Sequence, residues 1–332
     1  IIFFGLIIIR YFFLNATDRI EEVDPALAGF LGGANLPIIF SWVVGGLFAG
    51  GVAFVIGKVA LGLRSDYLAI VTLGISEIVV SVLKHEEWLS RGVKNVIGLK
   101  RPVPYEINLQ TSDWFINMVM WFNSSKLNQI IDADQKQEIL NKLIIDSSSL
   151  FVKLNYAILF FTVMIVIYYF ANKAQISPWG RMMRAIRDNE VSANAMGKDI
   201  VKQHLIIFVI GAAIVGVAGA MLVTLDGLFT PSSYRPLRFT FIIWIMVIVG
   251  GSGNNLGAIF GGFVIWFAWI EVAPLTTFLI NLFTSGLDPQ NAIRLHLLDS
   301  VPYFRYLLMG MVLLLILRYR PKGIIPEKVR HS

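Results

Sequence analysis

Residues 239–273 read FTFIIWIMVIVGGSGNNLGAIFGGFVIWFAWIEVA, and how often this run crosses a membrane decides the fold. A helix needs about 20 apolar residues to span the hydrocarbon core, so the run is too long for one ordinary span and short for two. Its interior, Gly250-Gly251-Ser252-Gly253-Asn254-Asn255-Leu256-Gly257, breaks a helix easily. Charge on either side settles the count. Upstream, residues 172–203 carry Lys173, Arg181, Arg184, Arg187, Lys198 and Lys202. Downstream, the tail carries Arg318, Arg320, Lys322, Lys328 and Arg330. Basic connections stay on the cytoplasmic side. Two spans around the glycines keep both there, whereas one span would separate them. The sequence therefore predicts two.

The remaining apolar runs are Ile1–Leu14, Leu36–Leu61, Tyr67–Leu83, Phe151–Ala171, His204–Leu225 and Val301–Leu317. Together they give an all-α, polytopic membrane protein of about eight spans. Composition agrees: 56% of the 332 residues are apolar and 15% charged, against about 25% charged in average soluble domains. A chain this apolar cannot cover a water-exposed surface with polar groups. Its formal charge of +6 sits between apolar runs, a pattern that orients a bilayer protein and leaves no nucleic-acid footprint. Absence of cysteine removes disulfides, thiolate metal sites and cysteine nucleophiles. The chain opens on an apolar run without Met, the expectation being a truncated N-terminus and a single transmembrane domain over 1–332.

Orientation assigns the connections. Asp18, Glu21, Glu22 and Asp24, residues 84–150 and residues 274–300 fall outside; 172–203 and the C-terminus fall inside. Within 84–150, Ile139, Leu140, Leu143 and Ile144 recur at helical spacing among charges and predict a short amphipathic helix. A connection this long either has a function of its own or merely covers the outer surface.

The connection 172–203 is built rather than loose. Ser177 before Pro178 predicts a helix cap with proline at the first helical position. Trp179 stands where an interfacial aromatic anchors, and Arg184 and Arg187, three apart, share a face. A second short turn from Glu190 to Met196 closes on Gly197. Short helices on an inner face suit docking into a groove of another protein, although basic connections that only fix topology are common. Elsewhere, Gly46 with Gly50, Ala212 with Gly216, Gly216 with Ala220, and Gly253, Gly257 and Gly261 in series have the small-residue spacing that lets helices approach closely. Glu77 lies well inside an apolar span. Such a carboxylate faces a bundle interior, a water-filled path or a partner, or else is held by hydroxyls and serves packing.

The chain lacks a G-x-x-x-x-G-K-S/T loop, and Gly251-Ser252-Gly253 has the wrong spacing and no preceding strand for nucleotide binding. His85, His204, His296 and His331 are scattered without metal-ligand spacing, and no nucleophile–base pair is evident.

Several stretches in order resemble the membrane subunits of branched-chain amino acid ABC importers, the LivM-like permeases. Residues 63–79, LRSDYLAIVTLGISEIV, resemble that family's L-R-G-D-Y-x-A-I-V-T-L element. Residues 180–197, GRMMRAIRDNEVSANAMG, resemble its cytoplasmic coupling loop; residues 249–262 resemble its glycine element and Arg320-Pro321-Lys322-Gly323-Ile324 its closing motif. The resemblance implies that Arg184, Arg187, Glu190, Ala193 and Gly197 couple to an ATPase, and that Asp66, Tyr67, Thr72 and Glu77 belong to the translocation half. Gly250, Gly251, Gly253, Gly257 and Gly261 then break and pack helices. It further implies a paralogous permease subunit, two cytoplasmic ATPases that hold the ATP and Mg, and an external solute-binding protein, in a bacterial-type inner membrane. No cofactor is expected on this chain, and its role is transport, not catalysis. Glu190 lies one place further from Gly197 than the general importer pattern asks, as in the branched-chain group. Residues 91–99, RGVKNVIGL, depart from that group by lacking its paired glycines, which leaves urea and short amides as an alternative solute class. An ion-coupled secondary transporter would call for more ionisable groups along the spans, and a membrane enzyme for a catalytic cluster.

Because the chain has no cysteine, single cysteines introduced into 172–203 and into 320–327 are expected to react with an impermeant thiol reagent from the same side of the membrane. Labelling from opposite sides would eliminate the two-span reading of 239–273.

Overall fold

A computed structural model describes residues 37–63, 65–86, 96–97, 99–128, 132–231, 236–286, 288 and 290–327. The expected span Ile1–Leu14 and the acidic residues Asp18, Glu21, Glu22 and Asp24 lie outside the described residues. The chain divides into two compact units, one ending at residue 233 and one beginning at residue 234. Among the described residues six helices are long and apolar enough to cross a bilayer, and a seventh, shorter one is equally apolar. The protein is thus a polytopic helical membrane protein.

In the first unit α1 (Ile38–Ala60), α2 (Ser65–His85), α6 (Ala133–Ile176) and α9 (Ile200–Asp226) are the long helices. Three short helices, α3 (Glu106–Gln110), α4 (Asp113–Phe122) and α5 (Ser124–Leu127), precede α6. Two more, α7 (Pro178–Asp188) and α8 (Glu190–Ala195), join α6 to α9. The two-residue strands β1 (Val96–Ile97) and β2 (Leu228–Phe229) pair antiparallel.

The expected amphipathic helix is not a separate piece. Residues 133–150 are the first part of α6, which runs unbroken to Ile176. Asp132 caps it, its side chain accepting from the Asp134 N–H, and no glycine or proline occurs until Pro178, so nothing interrupts the backbone ladder. At about 66 Å, α6 is roughly twice the thickness of a hydrocarbon core.

α1 and α9 pack antiparallel along their length through small residues. A methyl added at Gly46 would sit 2.7 Å from Val217 Cγ2 and 3.0 Å from the Ala213 carbonyl oxygen. At Gly50 it would meet Ala213 Cβ at 3.3 Å, so Ala213 rather than Ala212 faces that glycine. At Gly216 it would meet Ala49 Cβ and the Gly45 carbonyl. In lipid no hydrophobic gain separates a helix–helix contact from a helix–lipid contact, so close van der Waals approach supplies the association. Near the end of this pair, Trp42 Nε1 donates to Thr224 Oγ1 at 3.1 Å and Tyr156 Oη donates to the Thr224 carbonyl at 3.1 Å. One threonine thereby ties α1, α6 and α9.

The second unit contains α10 (Pro236–Gly250), α11 (Asn255–Phe283), α12 (Ala292–Asp299) and α13 (Val301–Tyr319). Ile242, Ile245 and Val249 of α10 pack with Ile265 and Trp269 of α11 and Met309 of α13. The break expected inside 239–273 is present, but its halves are unequal. At about 22 Å, α10 falls short of the core thickness, and α11 at about 43 Å exceeds it. α11 also runs through Pro274 to Phe283, where the sequence predicted an external connection. Pro274 removes one ladder donor, yet the helix continues through it to Phe283.

Gly216→Val is expected to force α1 and α9 apart and lower the thermal stability of the detergent-solubilised protein, by roughly 1–3 kcal/mol as for other overpacked sites. Gly211→Ala, where an added methyl meets nothing within 4 Å, should cost nothing. Equal melting of the two variants would show that the glycine contact does not hold the pair.

Candidate functional site

The most constructed region is the corner between α6 and α9. Ser177 ends one helix and begins the next: its hydroxyl donates to the Ala174 carbonyl at 2.6 Å and accepts from the Gly180 N–H at 3.2 Å. Pro178 follows at the first helical position, as the sequence predicts. Gly180 fits because a side chain there would collide with the Ala174 and Gln175 carbonyls. Those terminal carbonyls also hold the arginines. Arg181 Nη1 donates to the Ile176 carbonyl at 3.2 Å and Arg184 Nη1 to the Gln175 carbonyl at 3.0 Å. Cations at a helix C-terminus satisfy its free carbonyls and its negative dipole end.

Arg184 and Arg187 therefore do different things, although their spacing put them on one face. Arg184 is half-buried and turned back into the corner; Arg187 is exposed and bonds Asp188 Oδ1 at 3.1 Å. Ile186, fully buried, seats α7. Asn189 caps α8 by accepting from the Ser192 N–H at 2.9 Å. Gly197, at φ +76°, ends it: the Lys198 N–H bonds the Ala193 carbonyl and the Gly197 N–H the Asn194 carbonyl, a left-handed closure that glycine adopts without steric cost. Asp199 then caps α9. Two side-chain links dock the corner on α9, Trp179 Nε1 to Gln203 Oε1 at 3.0 Å and Glu190 Oε1 to His204 Nε2 at 3.8 Å. Ala193 is buried, whereas Arg187, Glu190, Val191 and Met196 stay exposed. The outward surface thus mixes charged side chains of both signs with the apolar Val191 and Met196, held on a capped and cross-braced frame.

The residues placed in the translocation half are on α2. The Asp66 side chain lies outside the described residues. Tyr67 and Glu77 are exposed, and no residue from Tyr67 to His85 is buried. The Thr72 hydroxyl bonds within its own helix, to the Leu68 carbonyl at 2.9 Å and the Ala69 carbonyl at 3.1 Å. α2 does not gather these side chains into one cluster. Two ionisable groups in the second unit escaped the sequence reading, which named Glu77 alone inside a span. Glu271 lies within α11 and Arg305 within α13. Arg305 stands over the Trp269 ring, 5.7 Å from its centroid, and its Nε is buried without a hydrogen-bond partner among the described residues. Checking each long helix for every Asp, Glu, Lys and Arg, not only those far from a span end, would have found both.

The glycines after α10 are joined by residues the sequence placed far away. The Ile324 and Ile325 N–H groups bond the Val249 and Gly250 carbonyls, each at 2.9 Å, closing the open end of α10. Asn254 caps α11 by accepting from the Leu256 and Gly257 N–H groups and donates Nδ2 to the Pro326 carbonyl at 3.2 Å. Gly250 faces Gly257 and Gly261, and Gly251, at φ +120°, faces Gly323, all at backbone contact where a Cβ would clash. The tail motif and the glycine element are one structural unit.

A helical membrane protein with a braced two-helix corner between spans, and no nucleotide loop in its sequence, has the build of a transport permease. The chain belongs to the family described as "Branched-chain amino acid transport system / permease component", whose model matches residues 6–317. It is similar to the "Probable branched-chain amino acid transport permease protein LivM" of Methanocaldococcus jannaschii, 31% identical over 49% of this chain and 44% of that protein. It is also similar to proteins titled "High-affinity branched-chain amino acid transport system permease protein LivM". The one from Escherichia coli is 23% identical and the one from Salmonella typhimurium 25%, each over 85% of this chain and 56% of the relative. The chain spans about half the length of the relatives it matches. No solved structure matches it.

Arg184→Ala should speed amide hydrogen exchange across 177–188, because it frees the Gln175 carbonyl and the corner with it. Arg187→Ala, which removes an exposed side chain, should leave that exchange unchanged. Indistinguishable protection in the two variants would mean that Arg184 does not hold the corner.

Proposed function

We propose that the chain is a membrane-spanning permease subunit of a binding-protein-dependent ABC importer for branched-chain or related amino acids. Family membership supports the solute class and the transport role, and the names of the LivM relatives agree with it. The corner carries the mechanism. Its exposed strip, Arg187, Glu190, Val191 and Met196, offers mixed polar and apolar contacts to a groove on a cytoplasmic ATPase. Its braces to α6 and α9 pass motion of that strip to two spans together.

In this reading two ATPase subunits bind ATP and Mg and close on each other. This chain supplies no phosphate loop and is not itself an enzyme. Closure favours one permease state only because the corner contacts the ATPase more strongly in that state. A second permease subunit, most simply a paralogue, completes the pathway. The uncovered surface of α2, with Glu77 and Tyr67, supports placing it against that subunit or the path. An external solute-binding protein delivers the solute. The basic charge of the corner and of the tail supports a cytoplasmic face for both, in a bacterial-type inner membrane.

Reversing charge at the exposed Arg187 is expected to weaken ATPase docking by about tenfold, the effect of losing ~1.4 kcal/mol at one anchoring side chain. Solute-stimulated ATP hydrolysis of the reconstituted complex should fall with it while permease assembly persists. Full stimulation in Arg187→Glu together with Val191→Asp would reject the corner as the coupling element. Retention of urea, but of no branched-chain amino acid, by the cognate binding protein would reject the solute class.

A further inference from the structure

The segment between α2 and α6 contains a helix whose surface has no role in coupling or solute passage. α4, Asp113-Trp114-Phe115-Ile116-Asn117-Met118-Val119-Met120-Trp121-Phe122, divides into three sectors at 100° per residue. Phe115 and Val119 are buried against α6, in a cluster with Ile144, Val152 and Tyr156. Asp113 and Asn117 form a narrow polar strip. Between these lies an outward sector holding Trp114, Trp121 and Phe122, the last two each 72% exposed. Three large aromatics left open on one short helix need a cover, since a soluble surface would keep them in a core.

The level of α4 on α6 says what covers them. Along α6 the charges Lys136, Glu138, Lys142 and Asp146 thin out after Ser147-Ser148-Ser149 to one exposed lysine, Lys153, and none follows until Lys173, so α6 enters the hydrocarbon within a turn of Phe151. α3 and α4 are pinned to that point of entry. Gln110 Nε2 donates to Ser148 Oγ at 2.9 Å, and the Trp114 and Phe115 rings stack edge-on against Phe151 at 6.0 and 5.6 Å. Leu150, Leu154 and Ile158, the exposed stripe of α6 that faces lipid, start at this level. The aromatic sector of α4 is therefore continuous with a lipid-facing surface and lies where tryptophan is most favourable, at the boundary between headgroups and acyl chains.

We propose that α4 is an interfacial helix lying in the membrane surface, with Trp114, Trp121 and Phe122 inserted among lipid headgroups and first methylenes and Asp113 and Asn117 facing water. The partner is the lipid surface itself, not a soluble protein. A helix with a broad aromatic sector, few charges and no lysine or arginine of its own binds by apolar burial and so does not require anionic lipid. Anchored there, it holds the part of α6 beyond the bilayer upright through the Phe115–Phe151 contact.

The absence of native cysteine permits a direct test on the full chain in its assembled complex, in phosphatidylcholine nanodiscs. Single nitroxide labels at 114, 121 and 122 are expected to collide more with oxygen than with a water-soluble nickel chelate, and a label at 117 to show the reverse order. The pattern should persist when phosphatidylglycerol is added. High nickel access at all four positions would mean an ordinary solvated helix and overturn the proposal. Low access of both reagents at 114, 121 and 122 would mean a protein partner and overturn it equally. A label-free reading guards against cysteine variants that do not assemble. Quenching of tryptophan emission by brominated lipid should be smaller in Trp121→Phe than in the unmodified chain, and equal quenching would sink the idea.

Discussion

Hydrocarbon offers no hydrogen-bond partner, so every backbone N–H and C=O within it has to be satisfied by the chain itself, and this constraint organises the structure. It makes the described chain almost wholly helical, and it makes each turn a problem of capping. Ser177, Asn189, Asp199 and Asn254 each accept from the first free N–H groups of the helix that follows. Where side chains do not suffice, distant backbone is brought in: the tail at Ile324 and Ile325 donates to the last carbonyls of α10. Without that stretch of tail, the break at Gly250 would leave the last carbonyls of α10 without these partners.

A second consequence follows from the same solvent. Helices in lipid gain little by burying apolar side chains against one another, so their association depends on how near the backbones come. The α1–α9 pair obtains this with Gly46, Gly50 and Gly216, and the α10–α11 crossing with Gly250, Gly257 and Gly261. Both contacts have small, hard surfaces that resist deformation. The corner is tied to α6 by Arg184 and to α9 by Trp179, with Glu190 near His204. At the far end of α9, Thr224 passes the constraint to Trp42 and Tyr156.

Local features were legible because their physics is local. The Ser177–Pro178 cap, the closure at Gly197 and the break at Gly250 each follow from a few neighbouring residues and are found where the sequence put them. Features that depend on direction or on distant partners were not legible. The three-residue spacing of Arg184 and Arg187 puts their Cα atoms on one face but does not say that free carbonyls at Gln175 would draw one guanidinium backwards. Helical periodicity over 139–144 revealed an amphipathic helix but not its fusion to the next span, since a polar stretch and an apolar stretch of one helix read as two elements. Pro274 was read as a stop and is instead carried within α11.

Sequence alone determined the class of fold, the break at Gly250, and the corner between α6 and α9. All of these rest on hydropathy, charge and capping chemistry, which act over a turn or two of chain. Tertiary structure decided the division into two units, which arginine turns back into the corner and which stays exposed, and the docking of residues 323–327 on the glycines after Gly250. It also decided the placement of α4 at the point where α6 enters the membrane. These arise from contacts between residues tens of positions apart, whose geometry is set by packing and leaves no periodic trace in the order of the amino acids.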